Sequence, residues 1–395
     1  MAVTAIDLLK MVSDESLEKL AEDFVINKVN TKITGQKIFK LLIHSLADSN
    51  KVTLRGMTLT YEKIVSSEIQ SNNPNSTVSH SGIAHRLHTI NPDYFRAIFN
   101  ELTIKFQSHF PQLFKSKIHV FDATIITLSR VLFPIGANYG GDDKTSSLKI
   151  SVGKKGLFPS SFKIHTEQKD SSDDNALYDA IGSAILSSDD IIVFDRGLSG
   201  SEKLGSFSSR GITFVTRIKV GRNFHVVKNL PVAEYSLEDD SVDILSDQII
   251  QFFKKSKRPS IENTHSHQFR LIVCNLKKTG EEIRFLTNDL VLTSVDIAKI
   301  YKMRWSIEVF FKFLKQELSL KHFLSRSING ITIYLYAILI FSILLMAYKV
   351  LNNLTGYRYV KARFMNEIEK AMTLEIVIAC GGSTEKFYQR YGSLS

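Results

Sequence analysis

The stretch DIIVFDRG, residues 190–197, decides the fold. Its apolar run Ile191–Phe194 is too short for a helix, is rich in β-branched residues, and is closed by an Asp-Arg-Gly turn signal, so it reads as a buried strand. The segment KIHVFDATIITL, residues 117–128, repeats the pattern. Each places an aspartate, Asp195 and Asp122, at or near the end of an apolar β run. A carboxylate in that position is costly unless it is paired or bound to a cation.

Around these two strands lie further short β-rich runs, LKISVG (148–153), SFKIHTE (161–167) and ITFVTRIK (212–219), with turn or helix patterns between them. Strands interleaved with helices imply an α/β unit built on a mixed sheet. From about 220 to 290 the strands NFHVV, RLIVCNL and EEIRFLTN follow with polar loops between them, which reads as an all-β insertion. Residues 1–110 carry helical periodicity, as in GQKIFKLLIHSLAD and DYFRAIFNELTIKF. The expected organisation is therefore a helical N-terminal domain (1–110), an α/β domain (111–350) with its β insertion, and a C-terminal helical region (351–395). In the first of these, TVSHSGIAHRLHTI (77–90) would present His80, His85, Arg86 and His88 on a short exposed helix, suited either to reading DNA or to a plain bundle surface.

Composition narrows the partner. With 50 Lys and Arg against 40 Asp and Glu, the 395-residue chain carries a formal charge of +10, which favours a polyanion. Two cysteines, Cys274 and Cys380, without a C-x-x-C pair exclude a disulfide framework and a cysteine-rich zinc site and fit a reducing cytoplasm. His265 and His267 are read as exposed residues of a strand edge, since no third ligand stands near them in sequence. The N-terminus lacks the apolar core of a secretory signal and reads as an amphipathic helix. Ser327–Tyr348 holds no formal charge and is long enough to cross a bilayer. Its Asn329, Gly330, Thr332 and Ser342, and its place behind a basic segment, favour a buried central helix over a membrane span.

That basic segment is YKMRWSIEVFFKFLKQ, residues 301–316. The pattern TSVD (293–296) caps its start, and one long helix is predicted from there. Wound as a helix, it gathers Tyr301, Arg304, Glu308, Lys312 and Lys315 on one stripe. Met303, Val309 and the other apolar residues fill the remaining circumference, which predicts burial for them, while Trp305 is read either as core or as a DNA contact that stacks on a base. A polar stripe on a buried helix must line a site. Asp122, Asp195 and Glu308 together make a set of hard oxygen donors, suited to Mg²⁺ or Mn²⁺, and two such ions can serve both oxygens of a phosphodiester displacement. The neighbouring cations Arg304, Lys312 and Lys315 suit DNA phosphates, and Arg217 in FVTRIK is either a DNA contact or a sheet-edge charge.

The spacing Tyr301-x₂-Arg304-x₃-Glu308-x₆-Lys315 resembles the Y-R-E-K signature of bacterial insertion-sequence transposases of the DDE class, insertion-sequence family four. VFDAT, VFDRG, FVTRIK and LTND extend the likeness over roughly residues 115–350. The resemblance implies a ribonuclease H-like fold with a β insertion between the second Asp and the Glu. It also implies a metal-binding catalytic triad Asp122, Asp195 and Glu308, and phosphate contacts from Tyr301, Arg304 and Lys315. Its expected partners are double-stranded DNA, both the terminal inverted repeats of the element and the target, held by a homodimer in the bacterial cytoplasm at the nucleoid, with no membrane involved. The apolar helix after the signature is expected to pack on the sheet. Members that form a DNA hairpin stack a flipped base on an aromatic of the insertion. Here the only tryptophan is Trp305, in the signature itself, which leaves Phe224, Tyr235 or another aromatic for that place. The alternatives to a cut-and-paste transposase are a ribonuclease H-like nuclease or resolvase and a non-catalytic DNA-binding regulator.

Overall fold

In the computed structural model, described for residues 3–28, 32–48, 52–68, 77–129, 145–165, 172–232, 242–254, 259–320 and 322–392, the chain forms two compact units. One consists of Leu113–Arg130 and Gly136–Phe311, the other of Met1–Gln112 and Lys312–Ser395. The boundary near 312 differs from the expected one at 350. Lys321 and Tyr235 lie outside the described residues.

The first unit is built on a nine-stranded sheet. Its strands are β1 (Ile118–Ser129), β2 (Thr145–Lys155), β3 (Phe158–His165), β4 (Ile191–Phe194), β5 (Thr213–Arg217), β6 (Phe224–Asn229), β7 (Val242–Phe252), β8 (Phe269–Leu276) and β9 (Glu282–Thr287), in the order β3-β2-β1-β4-β5-β9-β8-β7-β6. The pairs β1–β4 and β4–β5 are parallel and the rest antiparallel, so the sheet is mixed, as expected. Period-two alternation sorts its side chains between two faces. Phe121, Ile192, Phe194 and Phe214 form a core with Leu177 and Ile181 of the helix Asp173–Gly182 and with Leu204 and Phe207 of the helix Ser201–Ser209. Val120, Val193 and Val215 are buried on the opposite phase.

The β insertion is continuous with the sheet, because β9 pairs antiparallel with β5 through Thr216↔Leu286. Its longest member, β7, was not foreseen. SVDILSDQIIQF is half polar, and it stays in the sheet through the buried pair Asp247–Arg270, in which Arg270 Nε donates to Asp247 Oδ1 at 2.8 Å. His265 and His267 are also not edge residues. His265 Nε2 lies 3.2 Å from Ser201 Oγ, and the ring of His267 lies against Gly205, so both rest on the helix Ser201–Ser209.

The second unit is helical. Its elements include Ala5–Leu9, Asp14–Asp23, Gly35–Ala47, Leu54–Ser67, His80–Thr89 and Asp93–His109, followed late in the chain by Ile328–Leu351, Tyr357–Ala379 and Thr384–Tyr391. Caps mark several starts: Thr34, Thr53, Ser79 and Ser327 each accept a backbone N–H from the first turn. In His80–Thr89 the three histidines are exposed, but Arg86 is buried and donates to the carbonyl of Ile26 at 2.9 Å. A guanidinium committed to holding the bundle is not presented to DNA.

Ile328–Leu351 is the one described helix long and apolar enough to cross a membrane, and 94% of its most apolar 18-residue window is buried inside the protein. It packs on the helices Gly35–Ala47, His80–Thr89, Asp93–His109 and Tyr357–Ala379, within the helical unit. Tyr348 at its end donates to Glu367, whose other oxygen accepts the Ala5 N–H at 2.7 Å, so one buried carboxylate ties three helices. Each fully buried Ile, Leu or Phe of this helix contributes about 1.5–3 kcal/mol relative to exposure.

Candidate active site

Strand registers set the site before any side chain is considered. Phe121 pairs with Phe194 and Phe194 with Thr216, so the next residues, Asp122, Asp195 and Arg217, stand level on three adjacent strands. All three point away from the phenylalanine core. Asp195 follows the last residue of β4, whereas Asp122 lies inside β1, which runs on to Ser129 against β2 alone. The sequence placed Asp122 near a strand end; it sits where the parallel ladder ends. Open α/β sheets bind ligands at this carboxyl edge of their parallel strands.

The signature segment supplies the facing wall, and not as one helix. Numbered on from the eight helices named above that precede it in the chain, α9 is Ser294–Lys302 and ends before Met303, and α10, Trp305–Glu317, begins after Arg304. Met303 and Arg304 form the break. α9 packs on β5 and β9, and its Tyr301 ring lies 5.1 Å from that of Phe285. Ile307, Phe310, Phe311, Phe313 and Leu314 of α10 are buried as expected, but Met303, Val309 and Trp305 are exposed, Trp305 to 64%. A tryptophan left in water beside a cluster of charges is free for a partner to cover.

The break brings polar groups onto all three acids. Arg304 Nη2 pairs with Glu308, while its Nη1 lies 3.9 Å from Asp122 Oδ2. Tyr301 Oη lies 3.5 Å from Asp195 Oδ1, to which it donates. Asp195 also accepts the Arg196 N–H at 2.7 Å, and Asp122 accepts that of Ala123 at 2.8 Å. Burial pushes the Asp122 carboxyl up to about 6, a shift to which Asp195 and Glu308 add and which the Ala123 N–H and Arg304 oppose. Burial, and then the neighbouring Asp195, pushes the Tyr301 phenol up to about 12, so it remains a donor. Arg217 joins the periphery, paired to Glu281 at 3.4 Å.

These acids are hard oxygen donors gathered around one guanidinium, which suits a divalent cation chemically. Among the described residues, however, no three His, Cys, Asp or Glu side chains form a ready-made metal cluster. Glu308 would have to exchange Arg304 for the ion. Lys315 lies seven residues beyond Glu308, in the last turn of α10 and in the other compact unit. Lys154 Nζ meets Ser306 Oγ at 3.2 Å, joining β2 to the first turn of α10, a contact that escaped the sequence reading. The signal available was a lysine in the apolar phase Ile150, Val152, Lys154 of β2.

Acids gathered at the carboxyl edge of central parallel strands, with a third acid and an arginine on a following helix, define an α/β protein with a carboxylate site. The chain belongs to the transposase DDE domain family, whose model matches residues 114–344 and so takes in Asp122, Asp195 and Glu308. It is 25% identical over 232 residues to a probable transposase for insertion sequence element IS5377 of Geobacillus stearothermophilus, covering 59% of this chain and 56% of that one. It is 30% identical over 165 residues to a putative transposase of Sinorhizobium fredii, covering 41% of this chain and 44% of that one. The chain thus spans about half the length of these curated relatives. A cryo-EM structure of a piggyBac transposase synaptic complex with hairpin DNA aligns with 99% of this chain and 85% of that one, at 9% identity and a TM-score of 0.48.

Proposed function

We propose that this protein is a DNA transposase that cleaves at the ends of an insertion sequence and joins the exposed 3′-hydroxyl to target DNA by a cut-and-paste route, on a ribonuclease H-like fold. The observation that carries this reading is the level placement of Asp122 and Asp195 on adjacent parallel strands, with Glu308 tied to the same spot through Arg304.

Asp122, Asp195 and Glu308 would hold Mg²⁺ or Mn²⁺, two ions in this reading, which supply activation of the attacking oxygen and charge neutralisation of the leaving one. The protein's own groups do the rest. Arg304, released from Glu308, turns to a phosphate as a fork with two donors. Tyr301 keeps Asp195 oriented. Lys315 and Arg217 add phosphate contacts, and Trp305 offers a flat surface to a base near the cut, at a stacking gain of about 1–3 kcal/mol. Both chemical steps displace one phosphodiester oxygen: water attacks in the first, and the freed 3′-hydroxyl attacks the target strand in the second. Two DNA ends require two copies of the chain, acting at the bacterial nucleoid.

The test is strand transfer with Mg²⁺, using DNA from both flanks of the gene as donor and a plasmid as target, for wild type and Glu308→Gln. Joined products with wild type alone are the expected result. Nicking without joining would replace this reading with a nuclease, and binding without metal-dependent cleavage would replace it with a regulator.

A further inference from the structure

Lys154 is charged, 4% exposed, and belongs to no motif. Its ammonium donates to the Gly156 carbonyl at 2.5 Å and to Ser306 Oγ at 3.2 Å. Neither partner is an acid. Register explains its reach: Lys154 pairs with Val120 and Val152 with Asp122, so Lys154 stands one step along the ladder from Asp122 on the same face. A bulge between Gly153 and Lys154 in the pairing with β3, and the left-handed Gly156 at φ 59°, shape the hairpin that offers the carbonyl. Ser306 lies in the first turn of α10, two residues before Glu308. The amine thus bridges the strand that backs Asp122 and the helix that carries Glu308.

We propose that Lys154 is a positioning residue for the carboxylate site: by gripping Ser306 it holds the first turn of α10, and with it the backbone of Glu308, against the strand that backs Asp122. The inference rests on the metal-dependent reading above. A buried ammonium without an acid partner costs several kcal/mol, and an apolar residue of similar volume is ordinarily neutral or stabilising in its place. Burial also pushes this amine down to about 8, which agrees with an uncompensated charge. Packing alone does not account for a lysine here, whereas a fixed donor to Ser306 does.

The test uses the full chain without DNA, titrated with Mn²⁺ by calorimetry and by the fluorescence of Trp305, the only tryptophan, next to Ser306. Lys154→Met is expected to keep or raise Tm while weakening Mn²⁺ binding about tenfold. Ser306→Ala should weaken it in the same direction and less, and Lys154→Arg should recover part of the loss. Ser306→Ala keeps the test open if Lys154→Met does not fold. Equal Mn²⁺ affinity in wild type and the Ser306→Ala variant would overturn the inference, as would loss of affinity that merely follows loss of Tm. A wild type that binds Mn²⁺ yet cuts no DNA removes the transposase reading and leaves the affinity comparison to decide on Lys154. A wild type that binds no Mn²⁺ removes both.

Discussion

Arg304 is held by the acids it is expected to leave, and that competition can be tested one residue at a time. Its guanidinium reaches Glu308 and Asp122 at once, which a lysine, with a single point of charge, does not reproduce. Arg304→Lys should therefore fold with a Tm within a few degrees of wild type and lose at least tenfold in DNA cleavage; full activity would show that charge alone suffices. Tyr301 poses a different question, because it is 8% exposed and rests on Phe285. Tyr301→Phe keeps that packing and gives up only a long hydrogen bond to Asp195, so its unfolding free energy should change by less than about 1.5 kcal/mol. Tyr301→Ala should lose about 3–5 kcal/mol in urea unfolding. Similar stability for the two variants would mean that the ring serves DNA and not the core. The signature spacing identified these residues because four fixed types seldom recur by chance. It did not show that two of them first bind the acids, since that depends on the break after Lys302.

At the scale of elements, the strands around the acids were legible and the helix facing them was only half so. Short β-branched runs closed by turn residues identified β1, β4 and β5, because burial on both faces leaves little room for another reading. The break between α9 and α10 has no Gly or Pro to announce it. Tertiary contacts made at both sides of it, Tyr301 on Phe285 and Ser306 on Lys154, accompany the interruption of a sequence that would otherwise continue as helix. β7 was missed for the opposite reason: its polar residues look like a loop until Arg270 supplies a partner for Asp247. Gly153 in β2 shows how closely the site is backed. A Cβ there would come within 2.3 Å of Ser161 Oγ and 2.6 Å of the Phe121 ring, next to Asp122. Gly153→Ala should destabilise the protein by about 1–3 kcal/mol and lower cleavage more than a surface change of equal ΔΔG. Unchanged melting would show that β2 has room to move.

Each compact unit contains a histidine that the fold keeps neutral, and together they set how the whole molecule meets acid. In the helical unit burial, with Lys40 adding to it, pushes His44 down to about 4. In the sheet unit His119, 2% exposed, is also pushed down to about 4, by burial against the opposing pull of Asp190. Both folded values lie below the unfolded value of about 6.5. Above pH 6.5 both histidines are neutral in both states and contribute nothing to the pH dependence. As the pH falls from 6.5 towards 4 the unfolded chain takes up protons that the folded one refuses, so stability is lost across that window, by up to about 3 kcal/mol for His119. Carboxylates held low by partners, such as Asp174 beside Lys203, act elsewhere: their contribution is present above the unfolded carboxylate value and is lost only as pH falls below it. Asp122, raised to about 6 in the folded state, works the other way and gains stability as pH falls through the same window, but one carboxyl is outweighed by two imidazoles, so net acid sensitivity should begin near pH 6.5 and not near 4. Thermal melts from pH 8 to 4 should show a steep fall in Tm below 6.5 for wild type, a flatter one for His44→Gln with His119→Asn, and matching slopes above 6.5. Parallel curves throughout would mean that neither imidazole is kept neutral, and the acid response would then belong to the carboxylates alone.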